Sequence, residues 1–235
     1  MLSPLSLLLI GLLVLLAVAV LLVVRSTRKD SAQKRRIAKE LGFSPVADSA
    51  SLMRHLTAVR GRQRPGQLRL SQVFQRTESL GDLWLYDLYR HDFNEGDPRP
   101  GKSPDTPLEL GVVAVVVPGW NWPRSVATPR LLGKGNLTGI ANRMADTLVE
   151  ANARQLDFPD IFGLDEYYYV ACYEKVPDLP ESFLLALAAS PGLLIHLGGD
   201  TLTVSWANAR TQTPDTARMR HLIDQARRFA QTLGA

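Results

Sequence analysis

From Leu5 to Val24 the chain reads LSLLLIGLLVLLAVAVLLVV, twenty residues without a charge. At a rise of about 1.5 Å per residue such a helix spans the roughly 30 Å hydrocarbon layer of a bilayer. A cleavable signal peptide is the competing reading, but the preceding MLSPLS has no Lys or Arg. The apolar run also exceeds the length of a signal h-region, and it continues past the Ala17-Val18-Ala19 triplet where cleavage would fall. The sequence therefore predicts an uncleaved transmembrane anchor over residues 1–25.

The next residues set the orientation. Arg25, Arg28, Lys29, Lys34, Arg35, Arg36 and Lys39 follow the apolar run, against Asp30 and Glu40. Basic residues beside a membrane span stay on the cytoplasmic side, and no basic side chain competes at the other end. The expected topology is N-terminus outside and C-terminal domain in the cytoplasm, at the plasma (inner) membrane. Arg25, Arg28, Lys29, Lys34, Arg35 and Arg36 are candidate lipid-headgroup contacts, each attracted to an anionic surface by about 1 kcal/mol. The charge then reverses. Residues 25–76 carry thirteen Lys and Arg against three Asp and Glu, whereas residues 77–178 carry nine against sixteen. The pI of 9.4 thus reflects a basic membrane-proximal third. Nucleic-acid binding is not expected, because Arg60, Arg62, Arg64 and Arg69 surround a Gly/Pro turn with no interleaved aromatic platform.

The organisation expected is an anchor at 1–25, a basic juxtamembrane helix at 26–45 and one soluble domain at 46–235. That domain has the length for a single sizeable core. Its only cysteine, Cys172, lies in an apolar stretch, which points to a buried thiol and excludes an intramolecular disulfide.

Along the soluble part, residues 28–41 read as a charged helix, and Leu52, Met53 and Leu56 as one face of a second. Strands are expected at Leu68–Phe74, Asp82–Phe93 and Leu108–Val117. The second alternates Trp84, Tyr86 and Leu88 with Leu83, Leu85, Asp87 and Tyr89, so both of its faces are expected to be partly covered; the third is apolar on both faces and central. Residues 139–153 carry an apolar stripe at helical spacing. Tyr167–Glu174 is a further strand, and Pro180 opens an apolar helix. Leu193–Leu197 and Thr201–Trp206 flank Gly198, Gly199 and Asp200 as a hairpin. A last amphipathic helix carries Met219, Leu222, Ile223, Ala226 and Phe229, with Thr213 as its cap. Six strands without regular βαβ alternation predict an α+β domain, a mainly antiparallel sheet covered by helices.

Motifs for chemistry are sparse. The four histidines, His55, His91, His196 and His221, form no zinc-binding pair. The Gly133–Gly139 stretch lacks the order of a phosphate loop, and no G-x-S-x-G elbow occurs. Asp157, Asp160, Asp165 and Glu166 form an acidic loop whose spacing is not that of a calcium loop. No catalytic residue, metal ligand or cofactor is assigned. Trp120 and Trp122, in the turn Gly119–Pro123, either lid the core or form a partner or ligand loop.

The lone anchor, the basic segment, Leu41-Gly42-Phe43, the aromatic strand Trp84–Tyr89, Phe158–Phe162 and the Gly198–Asp200 hairpin before the last helix resemble bacterial single-pass membrane-anchored proteins of uncharacterised function. The resemblance implies no activity. The expected function is a membrane-tethered noncatalytic module that binds a protein partner. The alternative is a membrane-associated enzyme or small-ligand-binding domain with its site near Trp120 and Trp122; a pocket gathering Asp87, His91, Asp157, Asp160 and His196 would favour it.

Overall fold

A computed structural model describes residues 31–61, 68–90, 106–130, 153–161, 163–207 and 215–234. The Leu5–Val24 run, residues 139–152 of the apolar stripe, the Gly133–Gly139 turn, His91 and Thr213 lie outside the described residues. Among the described residues no helix is long and apolar enough to cross a membrane.

Helix α1 covers 31–40. It is followed by β1 (Ser44–Pro45), α2 (Ala50–Arg60), β2 (Leu68–Glu78), β3 (Gly81–Arg90), β4 (Thr106–Val116), β5 (Trp122–Pro129) and β6 (Arg154–Leu156). Then come α3 (Leu164–Tyr167), β7 (Tyr168–Cys172), α4 (Glu181–Ala188), β8 (Leu193–Gly199), β9 (Thr201–Trp206) and α5 (Thr216–Thr232). The nine strands form one sheet in the order β1-β2-β3-β4-β9-β8-β5-β7-β6, and every neighbouring pair is antiparallel. The domain is therefore α+β with a large antiparallel sheet. Strand β4 is interior, as its two apolar faces require. The β8–β9 hairpin is wedged between β4 and β5, so strands distant in sequence meet at the centre.

Three strands go beyond the six expected. Strand β5 has the sequence WPRSVATP, in which Pro and Arg mask the alternation of Ser125, Val126 and Ala127 that the sheet buries. Strands β1 and β6 have two and three residues, too short for any pattern to register.

Helices cover both faces. On one face α1, α4 and α5 close the main core: Ile37 and Ala38 from α1, Phe183 and Leu187 from α4, and Leu222, Ala226 and Phe229 from α5 meet Leu83, Leu85, Val113, Val115, Leu202 and Val204. The rings of Phe183 and Phe229 lie 5.7 Å apart edge to face, fixing α4 on α5. On the other face α2 inserts Leu52 and Leu56 against Trp84, Tyr86, Leu88, Val112, Ala114 and Val116. The alternation expected of β3 and β4 thus places successive residues in two separate cores. Cys172 is fully buried.

Local signals explain the ends of these elements. Asp215 caps α5 by accepting from the Arg218 amide at 2.7 Å. It takes the role expected of Thr213, two residues earlier, because a carboxylate accepts an exposed helix amide as well as a hydroxyl does. At the β8–β9 turn Gly199 has φ 57°. Gly198 lies so close to α2 that a Cβ there would stand 2.6 Å from the Ala58 carbonyl oxygen. Glycine at Gly198 is thus what lets α2 seat on the hairpin.

Candidate functional site: two buried ionic clusters on β3 and β4

Two ion-paired clusters lie on opposite faces of the same pair of strands, β3 and β4.

The first is a pocket under α1, where the strands on both sides of Asp87 are irregular. Strand β2 bulges between Ser71 and Phe74, and its Gln72 has φ 52°. Strand β4 slips against β3 between Tyr86 and Leu88, with Gly111 at φ 63°. Bulges re-aim side chains and open ladders. Here Asp87 accepts the Gly111 amide at 2.8 Å and the Lys34 ammonium at 2.5 Å. Lys34, Ile37, Gln72, Asp87, Gly111 and Met219 line the pocket. The sequence reading had Lys34 facing lipid headgroups, but this side chain is engaged with Asp87 and mostly covered. Arg35 and Arg36 are exposed, and Arg36 pairs with Glu40 at 2.9 Å on the helix surface. Arg25, Arg28 and Lys29 lie outside the described residues.

The second cluster lies on the α2 face. Arg60, the last residue of α2, forms an ion pair with Glu109. The Ser205 hydroxyl donates to the same carboxylate at 2.9 Å, and His196 Nε2 lies 3.7 Å from it. The sheet register explains the meeting. Glu109 opposes Leu88, Thr203 opposes both Ala114 and His196, and these side chains share a face with Trp84, Tyr86 and Ser205. Arg60 therefore belongs to this cluster and not to the basic Gly/Pro turn in which the sequence placed it.

Burial by itself would raise the Glu109 carboxyl, but the adjacent Arg60 guanidinium and His196 outweigh it and hold the group well below the usual carboxylate range. Burial lowers His196, Arg60 lowers it further, and Glu109 opposes both without cancelling them. The imidazole is therefore neutral at pH 7. Burial also raises the Tyr86 hydroxyl far above its ordinary value.

These shifts fix the sign of the acid response. A His whose folded pKa is depressed adds stability above its unfolded value of 6.5, and that stability is lost as pH falls below it. Glu109, also depressed, loses its contribution as pH falls below 4.5. Below pH 6.5 the unfolding free energy should fall with a slope of up to about 1.4 kcal/mol per pH unit from His196. In His196→Asn that part of the slope should vanish, while the loss below pH 4.5 remains. Urea unfolding at half-unit pH steps checks this, and an unchanged slope in the variant would refute the assignment.

The remaining expected positions do not converge. Trp120 and Trp122 are partly buried on the main core, with their rings edge to face at 6.2 Å. Asp87 and His196 lie on opposite faces of the sheet. Asp157 and Asp160 are exposed, as are Asp165 and Glu166. Among the described residues no group of three His, Cys, Asp or Glu is placed to hold a metal ion. His55 pairs with Asp200 at 2.9 Å across α2 and the hairpin turn. His221 is exposed, its ring stacked on Trp206 at 5.9 Å. The sequence reading names Asp87 and His196 but neither Glu109 nor the pairings, although each of the three is a titratable residue inside a strand otherwise built for burial.

Searches against protein-family models, characterised proteins and solved structures give no match for this chain.

Proposed function

We propose that this chain is a single-pass membrane protein whose α+β domain is a noncatalytic binding module held close to the cytoplasmic face of the bilayer. The observation that carries the reading is the seating of α1. Ile37 and Ala38 are buried in the main core and Lys34 is tied to Asp87, so the helix that follows the apolar run is part of the folded domain. Six residues, 25–30, lie between Val24 and the first described residue of that helix. Fully extended, such a link reaches roughly 20–25 Å. A domain tethered so tightly presents a limited set of surfaces to the cytoplasm and keeps Arg35 within reach of headgroups. Arg25, Arg28 and Lys29 in the link add to that attraction. The partner of such a module is a protein or an envelope component. The alternative site at Trp120 and Trp122 has less support, since both rings already pack on the core.

Fractionation tests the tether. Full-length protein should stay in the membrane pellet after an alkaline carbonate wash and retain its N-terminal peptide by mass spectrometry, and a version lacking residues 1–24 should move to the soluble fraction. A mature protein beginning beyond Ala19 would replace the anchor with a cleaved signal and sink the proposal. Crosslinking in native membranes, with the same truncation as control, then identifies the partner.

A further inference from the structure

The α2 face of the sheet contains more hydrogen-bonding capacity than the described protein uses. Trp84 Nε1, Tyr86 Oη, Thr203 Oγ1 and His196 Nε2 are all buried and lack a hydrogen-bond partner. Trp84 is 4% exposed, Tyr86 1% and Thr203 0%. The four residues share one face of the sheet by register, in a row that crosses β3, β4, β9 and β8. Trp84 opposes Ala114, Ala114 opposes Thr203, Thr203 opposes His196, and Tyr86 is one pleat away from Trp84 on the same face. Each such atom left dry costs free energy comparable to a lost hydrogen bond, and four on one face exceed what an apolar core would keep. The pocket under α1 makes no comparable demand, because the carboxylate of Asp87 is met by Lys34 and the Gly111 amide.

We infer that this face is a binding site for a small uncharged polar molecule bearing carbonyl or hydroxyl oxygens, received by Trp84, Tyr86, Thr203 and His196. The charge balance selects the class. Arg60 and Glu109 already neutralise each other, with Ser205 as an added donor to the carboxylate. A ligand carboxylate or phosphate would lose its hydration in this low-dielectric setting, and the one cation beside it, Arg60, is already committed to Glu109. The unused groups are an indole N–H, two hydroxyls and an imidazole nitrogen, all neutral. The indole can only donate, so the ligand must present an acceptor to it, while the hydroxyls accept or donate as the ligand requires. Trp84 and Tyr86 supply apolar ring surface beside those polar atoms. The inference does not depend on the membrane tether, and either can fail without the other.

The test uses the full-length protein in detergent micelles, uniformly labelled with nitrogen-15, and follows the indole N–H resonances. Trp84→Phe identifies the Trp84 signal by its disappearance. Acetamide and glycerol are the uncharged probes and acetate the charged counterpart of acetamide, each titrated to about half-molar because so few atoms bind weakly at best. A saturable shift of the Trp84 resonance with acetamide or glycerol, but not with acetate, is the expected result, with Trp120, Trp122 and Trp206 unmoved. Thr203→Val and Tyr86→Phe should each weaken that binding about tenfold, the factor one buried hydrogen bond makes in a binding constant. Acetate acting as well as acetamide would overturn the charge argument. No shift with any probe, together with an exchange peak from Trp84 to an ordered water, would reduce the site to buried water only and overturn the inference. The wild-type titration decides between these outcomes even if a variant fails to fold.

Discussion

Replacing Glu109 by Leu should destabilise the domain by about 3–5 kcal/mol, because it strands the Arg60 guanidinium in a buried position without its counter-charge. The expected reading is a fall of at least about 1 M in the urea midpoint, with the slope of the transition unchanged. The double variant Arg60→Met, Glu109→Leu should recover much of the loss, since removing both charges also removes the desolvation they impose. Recovery distinguishes an electrostatic role from simple packing. A double variant as unstable as the single one would mean that the ion pair is needed for its shape alone. The same pair bears on function, because it sets the charge of the cluster beside Trp84, Tyr86 and Thr203.

Phe229→Ala should cost a similar amount, about 3–5 kcal/mol, for an apolar reason. Phe229 is fully buried, its ring meets Phe183 edge to face, and it sits in the face of α5 that closes the main core. Truncation leaves a cavity between α4, α5 and the sheet. Leu185, on the outer side of α4, is 52% exposed, and its change to Ala should move stability by no more than about 0.5 kcal/mol. Thermal unfolding of the two variants side by side checks the contrast; equal losses would place α4 differently from its position here. Arg227 binds Glu78 through two nitrogens, at 2.9 and 2.5 Å, and ties α5 to the end of β2. Residual docking of α5 in Phe229→Ala would rest on this bridge together with Leu222, Ile223 and Ala226.

Much of the architecture was legible where periodicity and turn chemistry agree. The alternation of β3 reads directly as two covered faces, the Gly-Gly-Asp turn marks the β8–β9 hairpin, and the stripe from Met219 to Phe229 marks α5. Strand β5 was hidden because Arg124 and the prolines at its two ends interrupt any apolar pattern, although its central residues are buried. The order of the sheet was not legible either, since it depends on the β8–β9 hairpin entering between β4 and β5. For the site, the sequence supplied the residues and withheld the grouping. Glu109 in LELGVVAVVV and His196 in LLIHLGG stand out as titratable residues in buried strands, but only the register brings them to Arg60. Lys34 showed the opposite failure. Within a basic run it reads as one more surface charge, and the structure gives it a buried partner made available by two bulges.

The seat of α1 is completed late. Ile37 and Lys34 belong to a pocket whose far wall is Met219, and the main core also needs β9 and α5 from the end of the chain. About 180 residues separate Ile37 from Met219. At 5–20 residues per second a ribosome takes roughly ten to forty seconds to make them. For most of that time α1 is outside the ribosome without a place to dock. On the proposed topology, with the apolar run inserted first, Lys34 and its basic neighbours would lie on the headgroups during synthesis. The finished domain would then draw Lys34 off the lipid and onto Asp87, making membrane contact a stage in its assembly.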